Sequence, residues 1–276
     1  MSRNGDRPAT AHIASHPPAP SLVCFARRPR ARGLAKAALG RRRGRVIIAR
    51  TNEELAATFR ETLVDAALID VAGPDDETWR AIGLAAEFPS IPFFALLPLR
   101  STDAPALGRC AEQELADVLI DGVDEAVANA IVTPHLFSTR FEAALHEPPE
   151  TLALTSSVQR EAWGRIVAHA GRPVRTTALA DTMGVTREHL SRTFAADGAP
   201  NLKRVIDLVR LIAAAELAKN PGYDIRDVAH VLGFASSSHL SSCAQRLVGT
   251  RPTSLARLRT SDLLDRFAHG RGRSRA

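Results

Sequence analysis

The side chains that most often bind metals or act as nucleophiles are few and widely spaced in this 276-residue chain. Its three cysteines, Cys24, Cys110 and Cys243, show no C-x-x-C spacing, which argues against a zinc site and against a disulfide framework. His189 and His239 have no second ligand at helical spacing, so neither indicates a metal centre. We therefore expect no metal and no cofactor.

The first half of the chain also lacks the short motifs of common enzyme classes. It contains no G-x-G-x-x-G or P-loop glycine run and no G-x-S-x-G elbow, and His135 and His146 lie outside the predicted strands. A methyl-accepting repair enzyme would need a reactive thiol, but Cys24 falls in a predicted strand and Cys110 in an apolar helix. We expect a protein that is not an enzyme, and an enzyme with its catalytic domain in this half is the competing class.

A repeated pattern in the second half has the layout of a helix, a tight turn and a second helix. The two copies are residues 177–192 and 225–240. In each copy a small residue on the first helix, Ala180 or Ala229, allows the second helix to cross closely. A glycine four residues later, Gly184 or Gly233, suits the turn because its backbone is permissive. Two such units joined by a helix are a layout that binds DNA.

Two further signatures surround this repeat. Between the copies, residues 202–219 form a predicted bridging helix with an Arg-Leu-x-x-Ala-x-x-Leu register, at Arg210, Leu211, Ala214 and Leu217. The second copy carries a closing signature, Gly233-Phe234, Ser238-His239-Leu240-Ser241, Gly249 and Pro252. Together these motifs, over about 100 residues from Trp163 to Arg259, resemble the DNA-binding domain of AraC-type transcriptional regulators. The resemblance implies an all-α domain that binds specific DNA sequences.

The resemblance also assigns roles on the first recognition helix. It places Glu188, Ser191 and Arg192 toward the major groove, with Thr186 and Arg187 close to the phosphate backbone. The guanidinium of Arg192 could bond O6 and N7 of a guanine together, or it could contact only a phosphate.

On the second recognition helix the same family positions fall on serines. These are Ser237, Ser238, Ser241 and Ser242. Short hydroxyls discriminate bases weakly, so we expect the first unit to supply most of the base readout and the second mainly backbone contact. His189 and His239 are interpreted as packing or phosphate-contacting residues.

The second unit departs from the family where aromatic residues usually follow its recognition helix. Ala244, Val248 and Leu255 stand at those places, which predicts a thinner core because an aromatic ring buries far more apolar surface. This departure supports an alternative function, an interaction protein whose DNA-binding face has decayed. Such a protein would bind DNA weakly, without a preferred site and with strong dependence on salt.

Charge is unevenly distributed along the chain, whose formal net charge is +6. Residues 1–50 are rich in arginine and hold one acidic residue, Asp6, residues 51–160 are acidic, and the remainder is basic again. A basic carboxyl-terminal part suits a polyanionic partner, whereas the acidic middle argues against DNA contact there. The longest apolar run, residues 91–99, is short and contains prolines, so we expect a cytoplasmic protein without a membrane partner.

In the first half, short apolar segments alternate with helical ones, which predicts a parallel sheet covered by helices. The predicted strands are residues 22–25, 45–49, 66–69, 92–97 and 118–120. The predicted helices are residues 30–39, 52–63, 77–86, 104–114 and 124–131. Five strands and five helices in this order resemble the flavodoxin-like receiver domain of two-component systems.

This resemblance makes Asp70, at the end of the third strand, the phospho-acceptor position. The other residues of a working receiver are replaced, with Ala26 and Arg27 at the acidic places, Leu97 at the hydroxyl place and Ile120 or Asp121 at the lysine place. Without those carboxylates Mg²⁺ has little to hold it, so ordinary phosphorylation is not expected. We expect Arg27 to neutralise Asp70 instead, and the simpler alternative is that Asp70 is a polar strand end.

The sequence thus predicts five parts: a disordered arm at 1–20, a degenerate receiver-like α/β domain at 21–132, a connecting segment with a short helix at 133–160, an AraC-type domain at 161–259 and a basic tail at 260–276. The expected partner is double-stranded DNA. A homodimer formed through the α/β domain and RNA polymerase are further candidate partners. No small-molecule effector is indicated, because a receiver-like sheet offers no obvious ligand cavity.

Overall fold

Five parallel strands form the central sheet of the first half. The computed structural model describes residues 17–40 and 44–270. The strands are β1 (Ser21–Phe25), β2 (Arg45–Ala49), β3 (Ala66–Asp70), β4 (Phe93–Leu97) and β5 (Asp117–Ile120), in the spatial order β2-β1-β3-β4-β5. This is the flavodoxin-like order of doubly wound sheets, so the predicted parallel five-stranded sheet is confirmed.

Helices cover both faces of the sheet. They are α1 (Pro29–Ala38), α2 (Asn52–Glu61), α3 (Asp76–Glu87), α4 (Ala104–Ala111) and α5 (Ala128–Val132). Along β1, Leu22 and Cys24 face α1 and α5, whereas Val23 and Phe25 belong to the core that contains α2, α3 and α4. Every residue of β1 is buried, which explains why the strand reads as a continuous apolar run.

Helix ends in this half were harder to predict than strands. The helix predicted to reach residue 114 ends at Ala111, where the acidic residues Glu112 and Glu114 follow. Carboxylates at a helix carboxyl end oppose the helix dipole. The helix predicted at residues 124–131 is a 3₁₀ turn, Asp124–Ala126, followed by α5. The Asp124 side chain accepts a hydrogen bond from the backbone of Ile120 at 2.6 Å.

The second half is helical. After the connecting helix α6 (Phe137–Ala144) come α7 (Ser157–Val167), α8 (Thr176–Thr182), α9 (Arg187–Phe194), α10 (Leu202–Leu217), α11 (Ile225–Val231), α12 (Ser237–Val248) and α13 (Thr260–Gly270). Side chains cap several of these helices, as Asn201 does for α10 and Ser236 for α12. The turn glycines Gly184 and Gly233 have φ values of +67° and +64°, which L side chains adopt only with strain.

Helix α13 occupies residues that the sequence analysis assigned to the basic tail. Its Leu263 and Phe267 are buried, because the helix packs against α10 and α12. Phe267 lies beneath the guanidinium of Arg204, 5.2 Å from its ring centroid. An aromatic ring from α13 thus adds to the apolar core to which Ala244 also belongs. Residues 1–16 of the predicted arm at 1–20 and the last six residues of the predicted tail, 271–276, lie outside the described chain.

The two halves share one apolar core. The Phe88 ring, at the end of α3, meets Tyr223 edge to face with centroids 4.9 Å apart, just before α11. On its other side Phe88 stacks on Phe59 at 4.4 Å. The backbone of Gly222 donates to the Glu87 carbonyl at 2.9 Å, so the turn that begins the second helix-turn-helix unit is held by the α/β half.

A buried ion pair joins the same two halves. Asp65, fully buried before β3, accepts from Nη2 of Arg172 at 2.8 Å. Its carboxylate also accepts from the backbone nitrogens of Ser21 at 2.8 Å and Ser138 at 3.0 Å. One carboxylate therefore links β1, the connecting helix and the segment leading to α8.

We predict that Asp65→Asn lowers the free energy of unfolding by about 3 kcal/mol or more, because the guanidinium of Arg172 would lose its charged partner in a buried site. Urea unfolding followed by circular dichroism measures the change. The control is Glu161→Gln, which breaks an exposed pair with Arg165 and should cost less than about 1 kcal/mol. Equal losses in the two variants would contradict a structural role for the buried pair.

Candidate nucleic-acid interface

The first helix-turn-helix unit consists of α8 and α9. Thr186 precedes α9 as its amino-terminal cap and accepts from the backbone of His189 at 3.2 Å, so this hydroxyl serves the helix itself. Leu190 and Phe194 face inward and are buried. Ser191 and Arg192 lie on the exposed face, where the sequence analysis placed base-contacting residues.

Two of the predicted contacts in this unit bond to each other. Arg187 donates through Nε and Nη2 to the same oxygen of Glu188, at 3.0 and 2.8 Å. The hydrogen bond from Arg187 lowers the pKa of Glu188, which keeps this carboxylate charged at neutral pH. Arg187 therefore has an anionic partner, whereas the ion pairs of the described residues do not include Arg192.

The second unit presents an open groove of about 870 Å³ along α12. Four predicted contact residues line it, Ser237, Ser238, Ser241 and Ser242. Ser241 is half-buried and donates to the Ser237 carbonyl at 2.9 Å, so its hydroxyl is partly engaged within the helix. Ser238 and Ser242 are exposed.

The groove also contains residues that the sequence analysis missed. They are Ile225, Gln245, Arg246, Thr250, Arg251, Pro252 and Thr253. Gln245 and Arg246 follow Ser241 and Ser242 by one helical turn, so helical spacing was the signal that could have found them. Arg246 lies 3.1 Å from Asp207 on α10, which ties the groove to the bridging helix.

Arg210 of the bridging helix α10 holds the turn between the two helices of the second unit. Its guanidinium stacks 4.1 Å from the Phe234 ring centroid and donates to the carbonyls of Leu232 and Gly233 at 3.1 and 3.0 Å. Burial lowers the pKa of Arg210, but an arginine remains charged at neutral pH. His239 packs edge to face on the same ring at 5.7 Å, which favours the packing role among the two proposed for it.

The prediction that Arg27 neutralises Asp70 is wrong by one position in the sequence. Arg28, not Arg27, binds Asp70, with Nη2 2.6 Å from Oδ1 and Nε 2.9 Å from Oδ2. Nη1 of Arg28 also donates to Asp121 at 2.6 Å. Arg27 turns outward and pairs with Asp75 and Glu77, because the chain has left the sheet after Ala26.

Arg28 thus occupies the space between two carboxylates at the ends of β3 and β5. The side chains of Asp70 and Asp121 are only 5% and 4% exposed. The hydrogen bond to Asp70 raises the pKa of Arg28, so the cation is permanent. A working receiver has acidic residues after its first strand and a lysine after its fifth. Here an arginine, Arg28, follows β1 and an aspartate, Asp121, follows β5, so the two charges are reversed.

The three cysteines are free and buried. Burial raises the pKa of Cys24 to about 12 and that of Cys243 to about 11, and it also raises the pKa of Cys110. Within residues 17–40 and 44–270 we find no group of three or more His, Cys, Asp or Glu side chains suited to a metal ion. In the same residues, no helix is long and apolar enough to cross a membrane.

Comparison with known families assigns the helical region to a class. Residues 179–257 match a family model described as a helix-turn-helix domain, and this range contains the two units joined by α10. The match begins in α8 and includes both recognition helices.

One characterised relative adds to this assignment. The HTH-type transcriptional regulator GlxA of Rhizobium meliloti (strain 1021) is 33% identical over 86 residues, which cover 31% of this chain. The matched segment is 26% of that relative, so the chain spans about a quarter of the length of the curated relative it matches.

We predict that iodoacetamide at pH 8 leaves all three cysteines of the native protein unmodified for hours. The reason is that raised pKa values and burial keep the reactive thiolate scarce and out of reach. Peptide mass spectrometry measures the modified fraction, and the same reaction in urea, where each thiol is accessible, is the control. Rapid labelling of native Cys24 or Cys110 would contradict this and reopen a nucleophilic role.

Proposed function

We propose that this protein is a sequence-specific DNA-binding transcriptional regulator and not an enzyme. The observation that carries the proposal is a pair of helix-turn-helix units, held by one bridging helix, whose recognition helices both keep polar faces exposed. The match to a helix-turn-helix domain and the similarity to a transcriptional regulator support it. A cytoplasmic location follows from DNA as the partner.

The first unit is the main source of base readout. Arg192 is the strongest candidate for a base contact, because its guanidinium is exposed and can form two parallel hydrogen bonds with guanine. Ser191 lies beside it on the same face. Arg187 is paired with Glu188, so it would have to release this carboxylate before it could contact a phosphate.

The second unit contributes mainly backbone contact. Its groove combines the short hydroxyls of Ser238 and Ser242 with the guanidinium groups of Arg246 and Arg251. Hydroxyls and cations suit phosphate oxygens, and such contacts fix register without selecting sequence. Arg246 pairs with Asp207, so this pair would have to open if the guanidinium is to contact a phosphate.

The α/β half acts as a degenerate receiver that regulates or dimerises without Mg²⁺-dependent phosphorylation. Arg28 supplies the positive charge that a metal would otherwise bring to Asp70, and it leaves neither carboxylate free. Homodimerisation through this half and contact with RNA polymerase are parts of the proposal.

A second candidate function is an interaction protein with a decayed, unselective DNA-binding face. The serines of α12 favour it, because none of them can form the forked hydrogen bonds of Arg, Asn or Gln. Selection of bound sequences from random duplexes by the full-length chain separates the two functions. Enrichment of half-sites about one helical turn apart supports the regulator, whereas unselective, salt-sensitive binding supports the interaction protein.

For the regulator we predict that Arg192→Ala weakens the preference for one base pair of the selected site by about 1–3 kcal/mol. Ser242→Ala should leave the ranking of sites unchanged and reduce affinity slightly. Fluorescence anisotropy with the selected duplex and single-base variants of it provides the comparison. If the two variants lose base preference equally, the division of labour between the units is wrong.

For the α/β half we predict that acetyl phosphate with Mg²⁺ leaves Asp70 unmodified, since Arg28 already fills its surroundings. Intact-mass spectrometry detects a phosphoryl adduct, and Asp70→Asn is the matched control. An adduct that forms in the wild type and is absent from the control would overturn the proposal of a phosphorylation-independent module.

A further inference from the structure

A cavity of about 280 Å³ lies where the α/β half, the connecting helix and the helical half meet. Its lining residues come from the loop after α3, from α6, from α10 and from the start of α13. None of them belongs to the DNA-facing groove described above. The cavity is therefore a separate feature, at the kind of boundary between domains where ligand sites are often found.

The walls of this cavity are apolar and buried. Phe137, Phe141 and Leu145 form one side, and Ile212 of α10 forms the other, each at most 6% exposed. The two phenylalanine rings stack with centroids 5.9 Å apart, so they present a rigid surface. Such walls favour a compact apolar group, because each apolar contact made there removes surface from water.

The mouth of the cavity carries polar groups, and most of them are already engaged. Glu216 pairs with Lys219 at 2.7 Å, and the Ser90 hydroxyl exchanges hydrogen bonds with Asn220 at 2.9 and 2.6 Å. Arg140 is exposed at the mouth and is absent from the ion pairs of residues 17–40 and 44–270. The charge available to a ligand is therefore positive.

We propose that this cavity binds a small carboxylate with a compact apolar body, such as an aryl or branched aliphatic acid. The apolar body lies between the phenylalanines and Ile212, and the carboxylate pairs with Arg140 in the fork geometry that guanidinium groups favour. A volume of about 280 Å³ suits one ring or one short branched chain rather than a larger ligand.

Binding at this place would connect the ligand to the helix-turn-helix domain. Ile212 belongs to α10, which bridges the two units, and Thr260 begins α13, which packs on α12. A ligand that binds between the packed halves stabilises their arrangement by mass action. An effect on DNA affinity rests on the proposed function, whereas binding of the acid does not.

The experiment is isothermal titration calorimetry of the full-length protein without DNA, using phenylacetate and 4-methylpentanoate as probes. Phenylacetamide, which has the same shape and no charge, is the control ligand. We expect saturable binding of at least one acid and at least tenfold weaker binding of the amide. No saturable binding of either acid at concentrations on the order of 10 mM, or equal binding of acid and amide, would overturn the proposal.

Variants at the exposed mouth test the assignment of residues. Arg140→Gln should weaken binding of the acid at least tenfold, and Ala144→Phe should abolish it by filling the entrance. Arg80→Gln removes an exposed arginine that does not line the cavity and should bind as the wild type does. Circular dichroism confirms that each variant is folded, and wild-type affinity in both mouth variants would place the acid elsewhere.

Repeating the DNA titration with and without saturating acid then separates the two proposals. A shift in DNA affinity that Arg140→Gln removes makes the acid an effector. Binding of the acid to a protein with no DNA preference supports the cavity assignment and contradicts the regulator.

Discussion

The arrangement of the two halves depends on one buried carboxylate. Asp65 is fully enclosed, yet it receives hydrogen bonds from the first strand, from the connecting helix and from Arg172. A charge in such a place is tolerated only when its hydrogen bonds are satisfied, and here three separate parts of the chain must come together to satisfy it. The carboxylate therefore selects one arrangement of sheet, connector and helical domain, and the aromatic contact between Phe88 and Tyr223 lies in the same shared core.

The same logic operates at the carboxyl ends of the strands. Arg28 binds both Asp70 and Asp121, and Arg30 also lies 2.7 Å from Asp121, so cations offset the repulsion between the two acids. The charge at this end of the sheet is therefore constant, because an arginine stays protonated at neutral pH.

Local patterns in the sequence predicted the strands, the turn glycines and the exposed faces of the recognition helices, because periodicity and backbone requirements are local properties. The pairing of Asp65 with Arg172 could not be predicted, since the two residues are 107 positions apart and neither belongs to a motif. Arg28 was missed in favour of Arg27 because neighbouring side chains in a loop point in different directions. Phe267 was missed because its helix lies beyond the part of the chain that the family pattern covers.

Gly222 adds a consequence for recombining this protein with others. A Cβ atom at this position would lie 2.5 Å from the Phe88 ring, so the turn before α11 accepts that ring only when it has no side chain. A chimera that joins this sheet to a foreign helical domain must therefore have a glycine at the position that meets the Phe88 ring. The connecting segment between the two halves is therefore a poor place to join this protein to another one.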